Sequence, residues 1–210
     1  MKKLDLNNWK RKEHFEFFMQ YDEPFYGIVS EIDCTDAYRY AKENRLSFFA
    51  LYLHRSLIAV NGVEEFRYRI HDGKVYVYDV VHAGSTIGRA DGTFAFSFVE
   101  YTEDFNVFQA SLQKEIEAVQ KSTGLRKESD SHGDNIIHYS SLPWITFTGV
   151  THPMNHKIED SCPKITFGKV FERADRMIMP VGVYAHHALI DGFHIARHLE
   201  LFQEIMNTGK

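Results

Sequence analysis

A pair of histidines followed by an Asp-Gly dipeptide is the part of this chain best suited to chemistry. An apolar run ends at His186 and His187, and Asp191 and Gly192 follow just before a final amphipathic segment. A side chain at the end of a strand is held by a rigid element and can still face a cleft. Imidazole has an ordinary pKa of about 6.5, so it can accept a proton near neutral pH. The pattern therefore indicates a general base at this turn.

Two other interpretations of these histidines stay open. The chain contains 12 histidines, and a given one is usually a surface or hydrogen-bonded core residue. A metal site is the second alternative, because three imidazoles and a carboxylate are available here, from His186, His187, His194 and Asp191. Adjacent residues of a strand point to opposite faces, which argues against His186 and His187 binding one ion.

The stretch HHALIDGFH (186–194) resembles the active-site signature of the chloramphenicol acetyltransferase family, whose core is H-x-x-x-D-G. Dihydrolipoamide acyltransferase domains share that core, so alone it is only moderately specific. Three further segments are similar to the same family in order and spacing, namely NWKRKEHFEFF (8–18), SSLPWITF (140–147) and ITFGK (165–169). The four segments span nearly the whole chain, and together they are a specific match.

The resemblance implies that three residues provide the general base and hold it in place. His187 is then the general base that deprotonates the acceptor hydroxyl. Asp191 does not touch substrate but pairs with Arg11, and this buried ion pair holds the turn after the strand. From the sequence alone, Arg11 lies in a Lys-Arg-Lys run that is typical of a solvated helix surface.

The resemblance also implies two hydroxyl groups that stabilise the reaction intermediate. Ser140 donates to the oxyanion, although its neighbour Ser141 remains an alternative, and Thr166 supports the intermediate through a water molecule. Such groups suit direct transfer from a thioester to an alcohol, which needs a base and an oxyanion donor. That reaction needs no metal and no acyl-enzyme, so Cys34 and Cys162 are expected to be structural.

The resemblance assigns four residues to substrate binding, namely Thr166, Phe96, His152 and Tyr26. Two of them depart from the family pattern, because Phe96 stands where a small residue is usual and His152 where an aliphatic one is usual. Val170 replaces an aromatic residue that stacks on the adenine of the coenzyme. Added bulk and a polar group weaken the binding of an apolar ligand. These departures predict weak turnover of chloramphenicol.

The implied reaction uses acetyl-CoA as co-substrate, without metal, to acetylate a hydroxyl of a small molecule such as chloramphenicol, which would confer antibiotic resistance. The resemblance also implies a homotrimer with active sites between subunits. Two alternatives remain. One is an acyltransferase of the same fold for another acceptor, such as a metabolite alcohol or thiol. The other is a non-catalytic, ligand-binding trimer.

Length and composition agree with a small globular enzyme. The 210 residues are expected to form a single domain over 1–210. The net charge of −5 and the lack of a basic run argue against nucleic acid or an anionic membrane as partner. No run reaches the roughly 18 apolar residues of a membrane helix, and the N-terminus has no apolar signal core. These features predict a cytoplasmic location and reduced cysteines.

The elements that must position these residues alternate without strict βαβ order. The fold expected is a two-layer α/β sandwich, a mixed β-sheet with packed helices, which is the CoA-dependent acyltransferase fold. Helices are predicted from Asn7 or Asn8 and over 35–44, 47–60 and 105–119, with a last one after 191. Strands are predicted over 25–33, 94–101, 136–150, 164–172 and 177–189, with a hairpin at Asp72-Gly73, a turn at 173–176 and a loop over 124–134.

Overall fold

A mixed seven-stranded sheet is the central layer of the computed structural model, which describes residues 1–127, 133–155 and 158–208. The described residues contain ten strands, of which β1, β4 and β3 form a second, three-stranded sheet. In chain order the strands are β1 (Lys2–Lys3), β2 (Phe25–Asp33), β3 (Tyr68–His71), β4 (Lys74–Val77), β5 (His82–Gly88), β6 (Phe94–Val99), β7 (Ile136–Leu142), β8 (Lys164–Gly168), β9 (Phe171–Arg173) and β10 (Arg176–His186). The main sheet has the order β2-β10-β8-β7-β5-β6, and β9 pairs with the start of β10. Strands β5, β7 and β8 are parallel, whereas β2, β6 and β10 are antiparallel to their neighbours. The predicted mixed sheet is confirmed.

Five α-helices are present in the described residues: α1 (Lys12–Phe18), α2 (Thr35–Glu43), α3 (Phe48–Asn61), α4 (Phe105–Lys121) and α5 (Gly192–Met206). Ser47 caps α3 and Asp104 caps α4, each through a side-chain oxygen that accepts from a first-turn backbone N–H. Helix α3 is buried over ten of its residues, as its nearly uniform apolar sequence predicts. No helix in the described ranges is long and apolar enough to cross a membrane.

The two faces of the main sheet have different partners. On β10, Val181, Val183 and Ala185 are fully buried in the core that the sheet shares with the helices. The alternate residue Gly182 faces the other way, beside Thr166 of β8 and Ser140 of β7, which are paired in register. We call this second side, opposite the helices, the open face. The segment after β7 covers part of it.

Two tight turns confirm the hairpin predictions. Asp72 and Gly73 have φ values of 48° and 65°, and Ala174 and Asp175 have 49° and 60°. Two consecutive residues with positive φ are the signature of a type I′ turn, which matches the twist of the flanking strands. The second turn joins β9 to β10, so it places the long strand that ends at the two histidines.

The structure corrects several of the predicted boundaries. The strand predicted over 164–172 is divided into β8 and β9, and the one predicted over 177–189 ends at His186. Residues Leu6–Asn8 form a 3-10 turn capped by Asp5, and the first α-helix begins only at Lys12, so the cap predicted at Asn7 or Asn8 is wrong. The strand predicted over 136–150 ends at Leu142, because Pro143 follows and cannot donate to a neighbouring strand. The strand predicted over 94–101 ends at Val99, and β5 was not foreseen. The loop predicted over 124–134 lies partly outside the described residues.

Candidate active site

His187 lies directly after β10, with its ring held between two aromatic rings. Its backbone N–H donates to the carbonyl of Pro24 at 2.9 Å, which extends the β10–β2 ladder by one residue. The Phe18 ring stacks on the imidazole with centroids 3.8 Å apart, and the Tyr26 ring stacks at 4.4 Å. Nδ1 is buried and has no hydrogen-bond partner among the described residues. Nε2 is therefore the ring nitrogen available to a substrate.

His186 faces the other side of the sheet and has a different environment. It is buried against the edge of the Phe25 ring, and its Nδ1 accepts from the backbone N–H of Ala188 at 3.3 Å. Burial lowers the pKa of His186 to about 4, so the ring is neutral at pH 7. A cavity of about 600 Å³ opens beside it, with Pro24 and Met154 in its wall.

Arg11 and Asp191 form the ion pair that the resemblance implies. Arg11 Nη1 donates to Asp191 Oδ2, and the two side chains are 14% and 30% exposed. Asp191 Oδ1 also accepts from the backbone N–H groups of Phe193 and His194, so this carboxylate caps α5. Burial opposes ionisation, but His194 and Arg11 outweigh it and hold the pKa of Asp191 below its usual value. The turn after His187 is thus fixed to α1 by a charged group.

Tyr26 completes the surroundings of the base. Its hydroxyl is buried without a hydrogen-bond partner in the described part of the chain. Burial, together with the charge of Asp191, raises the pKa of Tyr26, so the phenol keeps its proton. Its contact with His187 is the ring stacking, which restricts the rotation of the imidazole.

Ser140 and Ser141 point to opposite sides of β7. Tyr52 Oη on α3 donates to Ser141 Oγ at 3.1 Å, so Ser141 faces the helices and is engaged there. Ser140 faces the open side, next to Thr166 on the adjacent strand. Of the two serines, the geometry favours Ser140 as a hydroxyl that can meet a ligand.

The Thr166 hydroxyl is within hydrogen-bond distance of His152, a contact that the sequence did not predict. His152 Nε2 lies 3.1 Å from Thr166 Oγ1, and its ring packs against Tyr184. Burial, then the nearby charge of Lys164, lowers the pKa of His152 and favours the neutral ring. Phe96 lies on β6 on the same face, two strands away from Ser140. Val170 follows β8 and packs against the core.

The predicted site residues form two separate groups within the chain. His187, Asp191, Arg11 and Tyr26 meet at the end of β10. Ser140 and Thr166 lie opposite Gly182, five residues earlier on that strand, together with His152. At about 3.3 Å per residue the two groups are about 16 Å apart along the sheet. The group around His187 and the group around Ser140 in one chain are therefore too far apart to act on the same reacting bond.

Metal ligation and cysteine chemistry have no visible centre. Among residues 1–127, 133–155 and 158–208, no three His, Cys, Asp or Glu side chains are arranged to bind a metal ion. Cys34 Sγ donates to the Met177 carbonyl, and Cys162 Sγ to the Asp134 carbonyl. Burial raises the pKa of Cys34 to about 12 and that of Cys162 to about 11, which makes both poor nucleophiles near pH 7.

Phe18 is the site residue that the sequence analysis missed. It carried no predicted role, although in the described residues its ring makes the shortest aromatic contact of His187. A signal was available, because Phe18 follows Arg11 by seven residues, or two helical turns, and therefore shares a face with it. A residue on the face of the Arg11 partner of Asp191 must lie near the turn that carries the base.

Comparison with known proteins agrees with this geometry. A sequence profile described as chloramphenicol acetyltransferase matches residues 1–203. The chain is 29% identical over 207 residues to a chloramphenicol acetyltransferase of Proteus mirabilis, covering 98% of this chain and 94% of that protein. It is also 29% identical to chloramphenicol acetyltransferase 3 of Escherichia coli, covering 98% and 97%.

Solved structures place the fold in the same group. A chloramphenicol acetyltransferase structure superposes with a TM-score of 0.91 at 32% identity, covering 98% of this chain and 99% of the other. A probable dihydrolipoamide acetyltransferase from Listeria monocytogenes has a TM-score of 0.72 at 13% identity, covering 100% and 96%, which shows the shared fold alone. The expected CoA-dependent acyltransferase fold is therefore confirmed, and the chain is an acyltransferase that belongs to the chloramphenicol acetyltransferase family.

Proposed function

We propose that this protein transfers the acetyl group of acetyl-CoA to a hydroxyl of a small molecule, with chloramphenicol as the first acceptor to test. The observation that carries the proposal is the environment of His187. Its ring is oriented by Phe18 and Tyr26, its Nδ1 is buried, and the turn that follows is tied to Arg11 through Asp191. The names of the similar proteins support the same acyl donor and acceptor class.

The reaction follows from the chemistry of a thioester and an alcohol. His187 Nε2 takes the proton of the acceptor hydroxyl while the oxygen of that hydroxyl attacks the carbonyl carbon of acetyl-CoA. The carbonyl oxygen becomes negative, and the Ser140 hydroxyl donates to it, with Thr166 supporting the same intermediate through water. When the carbon–sulfur bond breaks, the CoA thiolate takes the proton from His187, and the O-acetyl ester is released.

A homo-oligomer is part of this proposal, because His187 lies about 16 Å along the strand direction from the level of Ser140, which is also two strands away in the sheet. A second copy of the chain can present its open face, with Ser140 and Thr166, to the base. The segment that follows Ser140 carries large exposed apolar side chains, with Trp144 and Ile145 at 75% and 55% exposure. We propose a trimer, with His187 of one chain facing an acceptor pocket on its neighbour. A cytoplasmic location and a role in antibiotic resistance belong to the same proposal.

The first experiment is CoA release from acetyl-CoA with and without chloramphenicol and a panel of other alcohols. His187→Ala should lower kcat by at least about 10²–10⁴-fold, since it removes the proposed base. His186→Ala should keep kcat within about tenfold, because that ring faces away from the proposed reaction. Equal losses in the two variants would refute the assignment of the base.

The second experiment tests the shared site. Chains carrying His187→Ala and chains carrying Ser140→Ala should each be nearly inactive. Unfolded together and refolded at equal concentrations, they should recover about one quarter of wild-type activity, because random mixing gives each interface an intact pair with that frequency. No recovery, with mixed trimers demonstrated by mass, would refute a site built from two chains.

A further inference from the structure

His194 takes part in the cap of α5 through both its backbone and its side chain. Its Nδ1 accepts from the backbone N–H of Asp191 at 3.0 Å, while Asp191 Oδ1 accepts from the His194 N–H. This reciprocal arrangement is a capping box, in which His194 takes the position that glutamate or glutamine usually occupies. An Nδ1 that accepts a hydrogen bond carries no proton. The neutral ring must therefore carry its proton on Nε2.

Glu65 lies beside His194 Nε2. It belongs to the 3-10 turn Glu64–Arg67 after α3, and its Oε1 is 3.4 Å from His194 Nε2. Both side chains are poorly exposed, at 17% for Glu65 and 8% for His194. The second carboxylate oxygen, Oε2, is buried with no partner in the described residues. A carboxylate in such a place favours the tautomer that sends a proton towards it.

A series of contacts connects Glu65 to the turn that carries His187. Glu65 Oε1 lies 3.4 Å from His194 Nε2, His194 Nδ1 accepts from the backbone N–H of Asp191, and Asp191 binds Arg11 through its side chain. Only three residues separate Asp191 from His187, so the turn between them is short. If His194 carried its proton on Nδ1, the Asp191 N–H would lose its acceptor, and the ring would instead donate towards Asp191 Oδ1, which lies 3.1 Å from Nδ1, so the cap would rearrange.

We propose that Glu65 is a positioning residue for acetyl transfer, which acts through His194 on the turn that carries His187; the inference rests on the proposed function. Glu65 does not touch a substrate. Its effect is confined to the placement of the base, so it should change kcat and leave both KM values alone. A displacement of about 1 Å at a reacting group can cost about 10²-fold in rate.

The kinetic test is a double-mutant cycle. Glu65→Leu should lower kcat per folded chain by about 10- to 100-fold with unchanged KM, and Glu65→Gln should restore it, since the amide oxygen still accepts. His194→Gln keeps the capping box but breaks the link to Glu65, and adding Glu65→Leu to it should change nothing further. Glu64→Leu is the matched control on the same turn, because Glu64 accepts from Tyr68 Oη instead.

Additive effects in the cycle, or a Glu65→Leu kcat within about twofold of wild type, would overturn the proposal. A measurement without turnover covers the case in which a variant fails to fold. Nitrogen NMR of the histidine-labelled wild-type protein, assigned with His194→Gln, should show His194 with Nδ1 bare and Nε2 protonated. Protonation at Nδ1 would overturn the inference even in an active enzyme. If wild type transfers no acetyl group, the proposed function fails, and the same spectrum of Glu65→Leu still decides the role of Glu65: the Nε2-protonated tautomer should lose population, and an unchanged tautomer would overturn the inference.

Discussion

Phe18 and His187 stack face to face, with ring centroids 3.8 Å apart and planes inclined by 10°. The two rings come from different elements, the end of α1 and the residue after β10. Because Tyr26 stacks on the same imidazole, rotation of the ring about its Cβ–Cγ bond is blocked. Nδ1 stays buried, and Nε2 keeps one direction. The aromatic contacts therefore supply orientation to the base, which a lone strand-end histidine would lack.

The stacking predicts a loss of rate when Phe18 is replaced by an aliphatic residue. Phe18→Leu should lower kcat by about tenfold or more, because the imidazole gains orientations that cannot take the proton. Phe18→Tyr keeps the ring and should stay close to wild type, so it is the matched control. Steady-state kinetics with acetyl-CoA varied at a saturating acceptor would measure both. Equal kcat in Phe18→Leu and wild type would show that the stacking does not orient the base.

The Arg11–Asp191 pair should contribute to stability as well as to rate. Asp191→Asn keeps a good N-cap but loses the ion pair, and we expect about 1.5–3 kcal/mol of destabilisation, below the range for a fully buried pair. Asp191→Ala should cost about 1 kcal/mol more, because the cap is lost too. Urea unfolding of the two variants and of Arg11→Ala would give these values. A stability of Arg11→Ala equal to that of wild type would contradict this account.

Sequence periodicity predicts those elements whose signals are local. Helix α3 has an apolar run and Ser47 as cap, and the hairpin β3–β4 has Asp72-Gly73 between alternating strands. Strand β5 gives no such signal, because Gly84 interrupts it and its helix-facing residues include Ala83 and Ser85. Tertiary pairing on both sides, with β6 and β7, makes it a strand.

The site was predictable in part for a similar reason. The resemblance paired Arg11 with Asp191, which lie 180 residues apart and which no periodicity could bring together. The His152–Thr166 contact was not predictable, because the segment that carries His152 has no regular structure to set its direction. The link from Glu65 to His194 was hidden too, since a carboxylate on a short turn resembles any solvated charge.

His152 and Phe96 predict weak turnover of chloramphenicol. Both lie on the open face, and His152 places a neutral, polar ring beside Thr166. An apolar acceptor would have to pack against that polar ring, which costs binding free energy. His152→Leu should therefore raise kcat/KM for chloramphenicol by about tenfold, or about 1.4 kcal/mol. Efficient turnover by wild type, or no gain in His152→Leu, would show that this residue does not limit drug binding.

Stability should fall in mild acid because of buried histidines. Burial lowers the pKa of His198, which is fully buried against Phe66 and Phe202, to about 4, and His186 behaves alike. Since the unfolded value is about 6.5, the unfolded chain binds more protons between pH 6.5 and 4. Each group should then cost up to about 1.4 kcal/mol per pH unit as the pH falls, levelling off below about 4. Urea midpoints at fixed protein concentration should drop less steeply in His198→Leu, and an unchanged slope would contradict the prediction.

Ser140 and Ser141 offer a test in which neighbouring residues of the same type should behave differently. Ser140 faces the open side next to Thr166, whereas Ser141 accepts from Tyr52 and faces α3. A donor to the oxyanion acts mainly in the transition state, because the ground-state carbonyl is a weaker acceptor. Ser140→Ala should therefore lower kcat by about 10²–10³-fold with little change in KM. Ser141→Ala should change kcat little and should cost about 1 kcal/mol of stability through the lost hydrogen bond to Tyr52. Similar kinetics in the two variants, or a change confined to KM in Ser140→Ala, would exclude the oxyanion role.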